Sequence, residues 1–280
     1  MERALVQRVL TVLVLAPLVI AAILLLDSRY FGLVLLPVIA LAAWEWADLA
    51  GLQSRAGWLA YTLLVAVLTF VAGWAIETGV DLFPLLLVAL IFWPWAAWVV
   101  WRFPSLAPGI GHAVPMLVLG LPVLIVPWVA LVLLHRQPEQ GPAWVVVLML
   151  VIWGADVAAY FSGRRWGRRK LAPTVSPGKS WAGFWGGLVA VALVMMLFSW
   201  WLGVGPAQML LLVLLGLVTG VISVLGDLFE SVLKRSRGVK DSGSLLPGHG
   251  GILDRIDSML SAGPVFALGV LAWFGRGGIT

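Results

Sequence analysis

Long apolar runs separated by short polar breaks recur from one end of the chain to the other. Residues 9–26, 56–76, 82–101 and 113–134 carry no charged side chain, and each is close to the ~20 helical residues that cross a hydrocarbon core about 30 Å thick. Residues 180–226 are also free of charge, and the Gly203-Val-Gly-Pro206 break divides them into two spans, which predicts a tight helical hairpin. Two further runs are apolar but hold acids: residues 30–50 with Glu45 and Asp48, and residues 141–163 with Asp156. Residues 258–275 make a last span. The pattern predicts an all-α integral membrane protein, a polytopic helical bundle of about nine transmembrane helices with a polar site at one face.

Composition removes the alternatives. The chain is 62% hydrophobic and 11% charged, against averages of about 45–50% and about 25% in soluble domains, so a water-soluble fold is excluded. Arg3 and Arg8 precede the first apolar run as in a signal peptide, but no small-residue cleavage site with a polar segment follows, so this run reads as a retained first span. The 280 residues contain no cysteine, which removes disulfides, thiolate catalysis and cysteine-ligated metals. One membrane domain over residues 1–280 is the simplest organisation, with N-terminal spans in about 1–135 and the chemistry in about 141–280.

Charge gives the bundle a side. With nine spans and a cytoplasmic N-terminus, 15 of the 18 Lys and Arg residues fall inside, and only Arg29, Arg136 and Arg276 outside. The positive-inside rule favours that arrangement. The inside charge concentrates in two loops, residues 162–179 and 227–257. The run Arg164, Arg165, Arg168, Arg169, Lys170 has an equally good reading as a lipid-attracting and topology-retaining rim. No nucleic-acid partner is expected.

The second loop is the chemical centre. Asp227, Glu230 and Lys234 stand at i, i+3 and i+7 and share a face if helical. Asp254 and Asp257 repeat the i, i+3 spacing at the start of the last span. Carboxylates brought together from two helix ends suit Mg²⁺, which takes one or two carboxylates plus substrate phosphates. Between them, Pro247-Gly248-His249-Gly250-Gly251 is a turn whose bare backbone can approach phosphate. Lys234, Arg235, Lys240 and Arg255 can neutralise phosphate oxygens.

The segment from Ser231 to Asp257 resembles the signature of the phosphatidate cytidylyltransferases, S-x-x-K-R-x4-K-D-x-G-x2-L-P-x-H-G-G-x-x-D-R-x-D, at every fixed position. A second block, Asp156-Val-Ala-Ala-Tyr-Phe-Ser-Gly163 and Ser176-Pro-Gly-Lys179-Ser180-Trp181, is similar to two further family elements, and Trp44-Glu45-Trp46 also looks family-like. Many members carry lysine where Gly178 stands, and glycine there resembles a bacterial variant; Ala182 stands where many carry glutamate, which leaves no carboxylate to assign.

The resemblance implies attack of a phosphatidate phosphate oxygen on the α-phosphorus of CTP, in a bacterial inner membrane, with Mg²⁺ and open room for a second ion such as K⁺. It implies Asp227 and Asp254 as metal ligands, with Asp257 as a further ligand and Asp241 as a helper. Lys234, Arg235, Lys240 and Arg255 become phosphate binders. Lys179, Ser176, Ser180, Gly248, Gly250 and Gly251 become substrate-binding positions. His249 has two open roles, donor to pyrophosphate or holder of the turn. Ser180 also reads as an N-cap, since an apolar run follows it.

Other polar residues are expected to be structural. Glu45 and Asp48 read as interface residues without a catalytic part, and His112 and His135 as interfacial residues at span ends. Asp156, one turn inside its span, calls for a cationic or metal partner. Gly216-Leu-Val-Thr-Gly220 is a GxxxG motif that permits close helix contact and a possible homodimer. Two rival functions remain. A CTP-dependent lipid-alcohol kinase would use the same ingredients, and a lipid transporter or scramblase would show an inverted repeat and midplane charges that this chain lacks.

Overall fold

A computed structural model describes residues 13, 16–105, 112–245 and 250–274. Eight helices are long and apolar enough to cross a membrane: α2 Ser28–Leu49, α3 Arg55–Glu77, a 3-10 turn Phe83–Leu87 running into α4 Val88–Arg102, α5 Ala113–His135, α6 Gly141–Trp166, α7 Trp181–Trp201, α8 Pro206–Ser236 and α9 Leu253–Trp273. A shorter apolar helix, α1 Ala16–Leu25, stands where the first span is expected; the rest of that span lies outside the described residues. The chain is an integral membrane protein, and the expected polytopic α-bundle is what folds.

Prolines interrupt α2, α4, α5 and α9 at Pro37, Pro94, Pro122, Pro127 and Pro264. In a membrane bundle neighbouring side chains can take up the carbonyls that prolines free. Helices α5 and α9 are the most buried and α3 the least, so α5 and α9 form the centre. The outer faces of α3 and α7 expose Leu63, Phe70, Trp74, Trp185, Leu197 and Trp200, the side chains that suit lipid.

Three differences from the sequence pattern matter for the site. Helix α8 does not end near Gly226 but continues to Ser236, and α9 begins at Leu253, not Ser258. At 31 residues α8 is about 46 Å long, which exceeds the ~30 Å core, so its charged last turns project from the bilayer. The loop between α6 and α7 contains a small antiparallel hairpin, β1 Lys170–Ala172 and β2 Ser176–Ser180, the one sheet among the described residues. The GxxxG motif is used internally: added Cβ atoms at Gly216 and Gly220 would meet Met195, and Val191 with Leu188, on α7. Its two glycines therefore serve the contact between α7 and α8.

The far end of the bundle is closed by ordinary contacts. Arg136 pairs with Glu77. His135 is not interfacial but buried: its Nε2 lies 2.8 Å from the Ile23 carbonyl, its Nδ1 2.9 Å from Ser28 Oγ, and its ring stacks on Phe31. It ties α5 to α1 and α2. His112 is exposed at the start of α5, as expected.

Candidate active site

Helices α8 and α9 meet at a glycine. An added Cβ at Gly226 would fall 2.7 Å from the Asp257 carbonyl and closer still to Ser261 Oγ. That close approach sets the acids of α8 beside those of α9. Lys234 is buried and reaches both helices: its Nζ lies 2.8 Å from Glu230 Oε2, one turn back on α8, and 2.5 Å from Asp254 Oδ1 on α9. The side chains of Glu230 and Asp254 are only 4% and 5% exposed, so this bridge is desolvated, where loss of one partner is most costly.

Asp254 is more fully engaged than its neighbours. Its Oδ2 accepts from the backbone N–H groups of Ser242 and Gly251, both at 2.9 Å. Gly250 takes φ +83, and a Cβ there would sit 2.8 Å from Asp254 Oδ2 and 3.4 Å from the Asp241 Cβ. Glycine is needed at 250 for both its conformation and its lack of a side chain. The two stems of the α8–α9 loop therefore close on the Asp254 carboxylate.

A second ion pair comes from the hairpin. Lys179 Nζ lies 2.6 Å from Asp227 Oδ2, with both side chains partly exposed. Strand β2 ends in Ser180, whose hydroxyl accepts from Gly183 N–H at 3.2 Å and caps α7 as expected. Ser176 opens the same strand. Arg235 donates from Nε to the Val175 carbonyl at 3.4 Å and from Nη1 to the Val239 carbonyl at 3.1 Å, so the hairpin tip is tied to the end of α8. Its remaining N–H groups are available for phosphate.

Lys179 and Asp227 line a cavity of about 470 Å³ between α6, α7, α8 and the hairpin, together with Asp156, Tyr160, Arg164 and Lys170. Small residues let α6 and α7 approach closely along its wall. At Gly183 and Gly187 on α7 an added Cβ would meet the carbonyls of Ala159 and Ala155 on α6 at 2.9 and 3.1 Å. Asp156 faces the cavity that Lys179 also lines, so the cationic partner expected for it comes from the hairpin and not from within the helices.

Lys240, Asp241 and Arg255 are exposed at the same end of the bundle. Gly248 and His249 lie outside the described residues. Two residues of the centre escaped the sequence reading as site members. Glu230, noted only as sharing a helix face, is half of the buried bridge; its i, i+4 spacing to Lys234 was the available signal. Glu45 is not at an interface but 3% exposed, accepting from Ser242 Oγ and from the N–H groups of Ile252 and Leu253. Asp48 is exposed, as expected.

Among the described residues no three His, Asp or Glu side chains gather at metal-ligand spacing. The donor set nevertheless holds more carboxyl groups than ammonium groups. Asp227, Glu230 and Asp254 share two ammonium groups, Lys179 and Lys234, and the close contact at Gly226 brings the Asp257 turn of α9 against α8.

Proteins of known family resemble this chain over nearly its whole length. The Cytidylyltransferase family matches residues 6–273. A phosphatidate cytidylyltransferase of Pseudomonas aeruginosa is 44% identical over 267 residues, covering 95% of this chain and 96% of its own length. One of Haemophilus influenzae is 38% identical over 280 residues, covering 93% and 96%. One of Bacillus subtilis is 46% identical over about half of each chain. With the match running through every span and both charged loops, the chain belongs to the cytidylyltransferase family.

Proposed function

We propose that this chain is a phosphatidate cytidylyltransferase, which transfers CMP from CTP to phosphatidate and yields CDP-diacylglycerol and pyrophosphate for phospholipid synthesis. The observation that carries the reading is the lysine-bridged carboxylate cluster beside a cavity at one end of a membrane bundle. The names of the relatives over nearly their whole length supply the substrates.

The chemistry asks little of a general base. A lipid phosphate monoester is largely dianionic near neutral pH, its second pKa being about 6. One of its oxygens forms the new bond to the α-phosphorus as the bond from that phosphorus to the bridging oxygen breaks. The pyrophosphate leaves with that oxygen and its charge. What the protein must do is hold two polyanions in line and stabilise charge on the equatorial and leaving oxygens. Lys179, Lys234, Arg235, Lys240 and Arg255 are the cations available. Ser180 accepts from Gly183 with a lone pair, so its hydroxyl hydrogen is free to donate. The Gly251 N–H is occupied by Asp254, so among the substrate-binding glycines Gly250 and Gly248 are the better phosphate contacts, alongside Ser176 and His249.

Mg²⁺ fits the donor set. Carboxylates in excess of their cations favour a divalent ion, and Mg²⁺ needs only one or two protein carboxylates when phosphates complete its shell. Asp254 is the most heavily engaged of the three, accepting from Lys234 and from two backbone N–H groups, so Asp227 and Asp257 would hold the ion more readily, and Asp254 would orient Lys234. When bound, the ion supplies charge neutralisation on the phosphate oxygens. The bacterial sources of the relatives and the clustering of basic residues at the site end support a cytoplasmic membrane location, with N-terminus and site facing the cytoplasm.

The test is an assay of the detergent-purified protein with labelled CTP, phosphatidate and Mg²⁺. Wild type should form CDP-diacylglycerol with pyrophosphate, and Asp254→Asn should lose at least 100-fold in rate. Release of CDP in place of pyrophosphate would mark a lipid kinase. No product from wild type, or undiminished product from Asp254→Asn, would overturn the assignment.

A further inference from the structure

Helix α9 carries Asp254 and Asp257 in its first two turns, yet no side chain of its own caps it. Ile252 at the N-cap position makes no capping bond. The orphan N–H groups of a helix start must nonetheless be satisfied when buried. They are satisfied from 207 residues away in sequence: Glu45 on α2 accepts Ile252 N–H at 3.0 Å on Oε1 and Leu253 N–H at 2.8 Å on Oε2. The same Oε2 accepts the Ser242 hydroxyl at 2.9 Å. A carboxylate at a helix N-terminus is favoured by both charge-assisted hydrogen bonds and the helix dipole.

The loop leaves no room for anything else there. Added Cβ atoms at Gly243 and Gly251 would both collide with the Glu45 carboxylate. Ser242 then passes the restraint on. Its N–H donates to Asp254 Oδ2, and its hydroxyl oxygen lies 3.3 Å from Asp254 N–H. Glu45 and Asp254 thus hold the same two stems, Ser242 on one and residues 251–253 on the other, and Asp254 in turn holds Lys234.

We infer that Glu45 is a positioning residue for the cytidylyl-transfer site: the α2 carboxylate sets the start of α9 and the Ser242 stem, and through them the Asp254–Lys234 pair. Its carboxylate is taken up by the loop and does not line the cavity. The inference rests on the proposed activity, and it makes α2, far from the signature segment in sequence, part of the working site.

The test is steady-state kinetics in detergent on wild type, Glu45→Gln, Ser242→Ala and the double variant, with the folded fraction followed by size exclusion and thermal denaturation. Glutamine keeps the shape but turns one acceptor into a donor facing donors. Because a displacement of about 1 Å at a reacting centre costs roughly 100-fold, kcat of folded Glu45→Gln should fall about that much, with KM for CTP within about threefold. Ser242→Ala should lose about tenfold. The double variant should be no slower than Glu45→Gln, since both act along one path. A folded Glu45→Gln with wild-type kcat, or losses that multiply in the double variant, would overturn the inference. If Glu45→Gln does not fold, Ser242→Ala decides alone, and kcat within twofold of wild type sinks the idea. Absence of product from wild type would instead strike the proposed activity, so the two failures are separable.

Discussion

Lys234 is the residue on which the most charge converges. Its ammonium is the counter-ion of two carboxylates that are each about 95% removed from solvent, whereas the Lys179–Asp227 pair is partly exposed and screened. Removing one member of a buried bridge leaves an uncompensated charge and costs about 3–5 kcal/mol, while exposed pairs are worth about 0–1 kcal/mol. Lys234→Met should therefore lower thermal stability by about that larger amount and abolish measurable CDP-diacylglycerol formation, both read on the same purified sample. Retention of wild-type melting would show the bridge to be weak. Lys234 and Asp254 were legible in the sequence because the signature holds both within 21 residues. Glu45 was not. An acid one turn from a second acid at a span end has the pattern of a wet boundary, and nothing in local sequence reveals that its partners are residues 242, 252 and 253.

At the scale of elements, the apolar runs made the helices legible but not their polar ends. A helix that leaves the bilayer loses its hydrophobic signal while its backbone continues, so the last ten residues of α8 and the first five of α9 read as loop. The hairpin of residues 170–180 was hidden by Pro173, Pro177 and Gly178, which punctuate it as they would a coil. The glycines, by contrast, report how the elements meet. Gly226 stands where α8 and α9 touch, with the Asp257 carbonyl 2.7 Å from an added Cβ. Gly226→Val should force the helices apart, costing about 1–3 kcal/mol as an overpacked contact, and should shift Asp227 away from Asp257 with a large loss of rate. Gly154→Ala on α6, whose added Cβ meets only Val194 at 3.7 Å, should leave melting unchanged. Equal effects from the two substitutions, measured by melting and by product formation, would remove the close helix contact from the account of the site.

For the molecule as a whole, the fold gives each end of the bundle a distinct chemistry. One end joins the turn after α2, the hairpin, the end of α8 and the start of α9, and holds Lys179, Lys234, Arg235, Lys240 and Arg255. The other holds Arg136 paired with Glu77 and a buried histidine. A charge imbalance of this kind orients a membrane protein with its basic end in the cytoplasm, where a nucleoside triphosphate substrate would be met. The absence of native cysteine makes the orientation directly measurable. Arg168→Cys and Thr78→Cys each place a lone thiol at an exposed position, on the loop beside the hairpin and at the end of α3 respectively. In intact cells an impermeant maleimide should label Thr78→Cys at once and Arg168→Cys only after the membrane is opened. The reverse pattern would put the carboxylate cluster on the outer face, away from any CTP supply, and the proposed reaction could not stand in the cell even if the purified protein performed it. Labelling tied to sidedness therefore tests the function from a direction that no assay in detergent can.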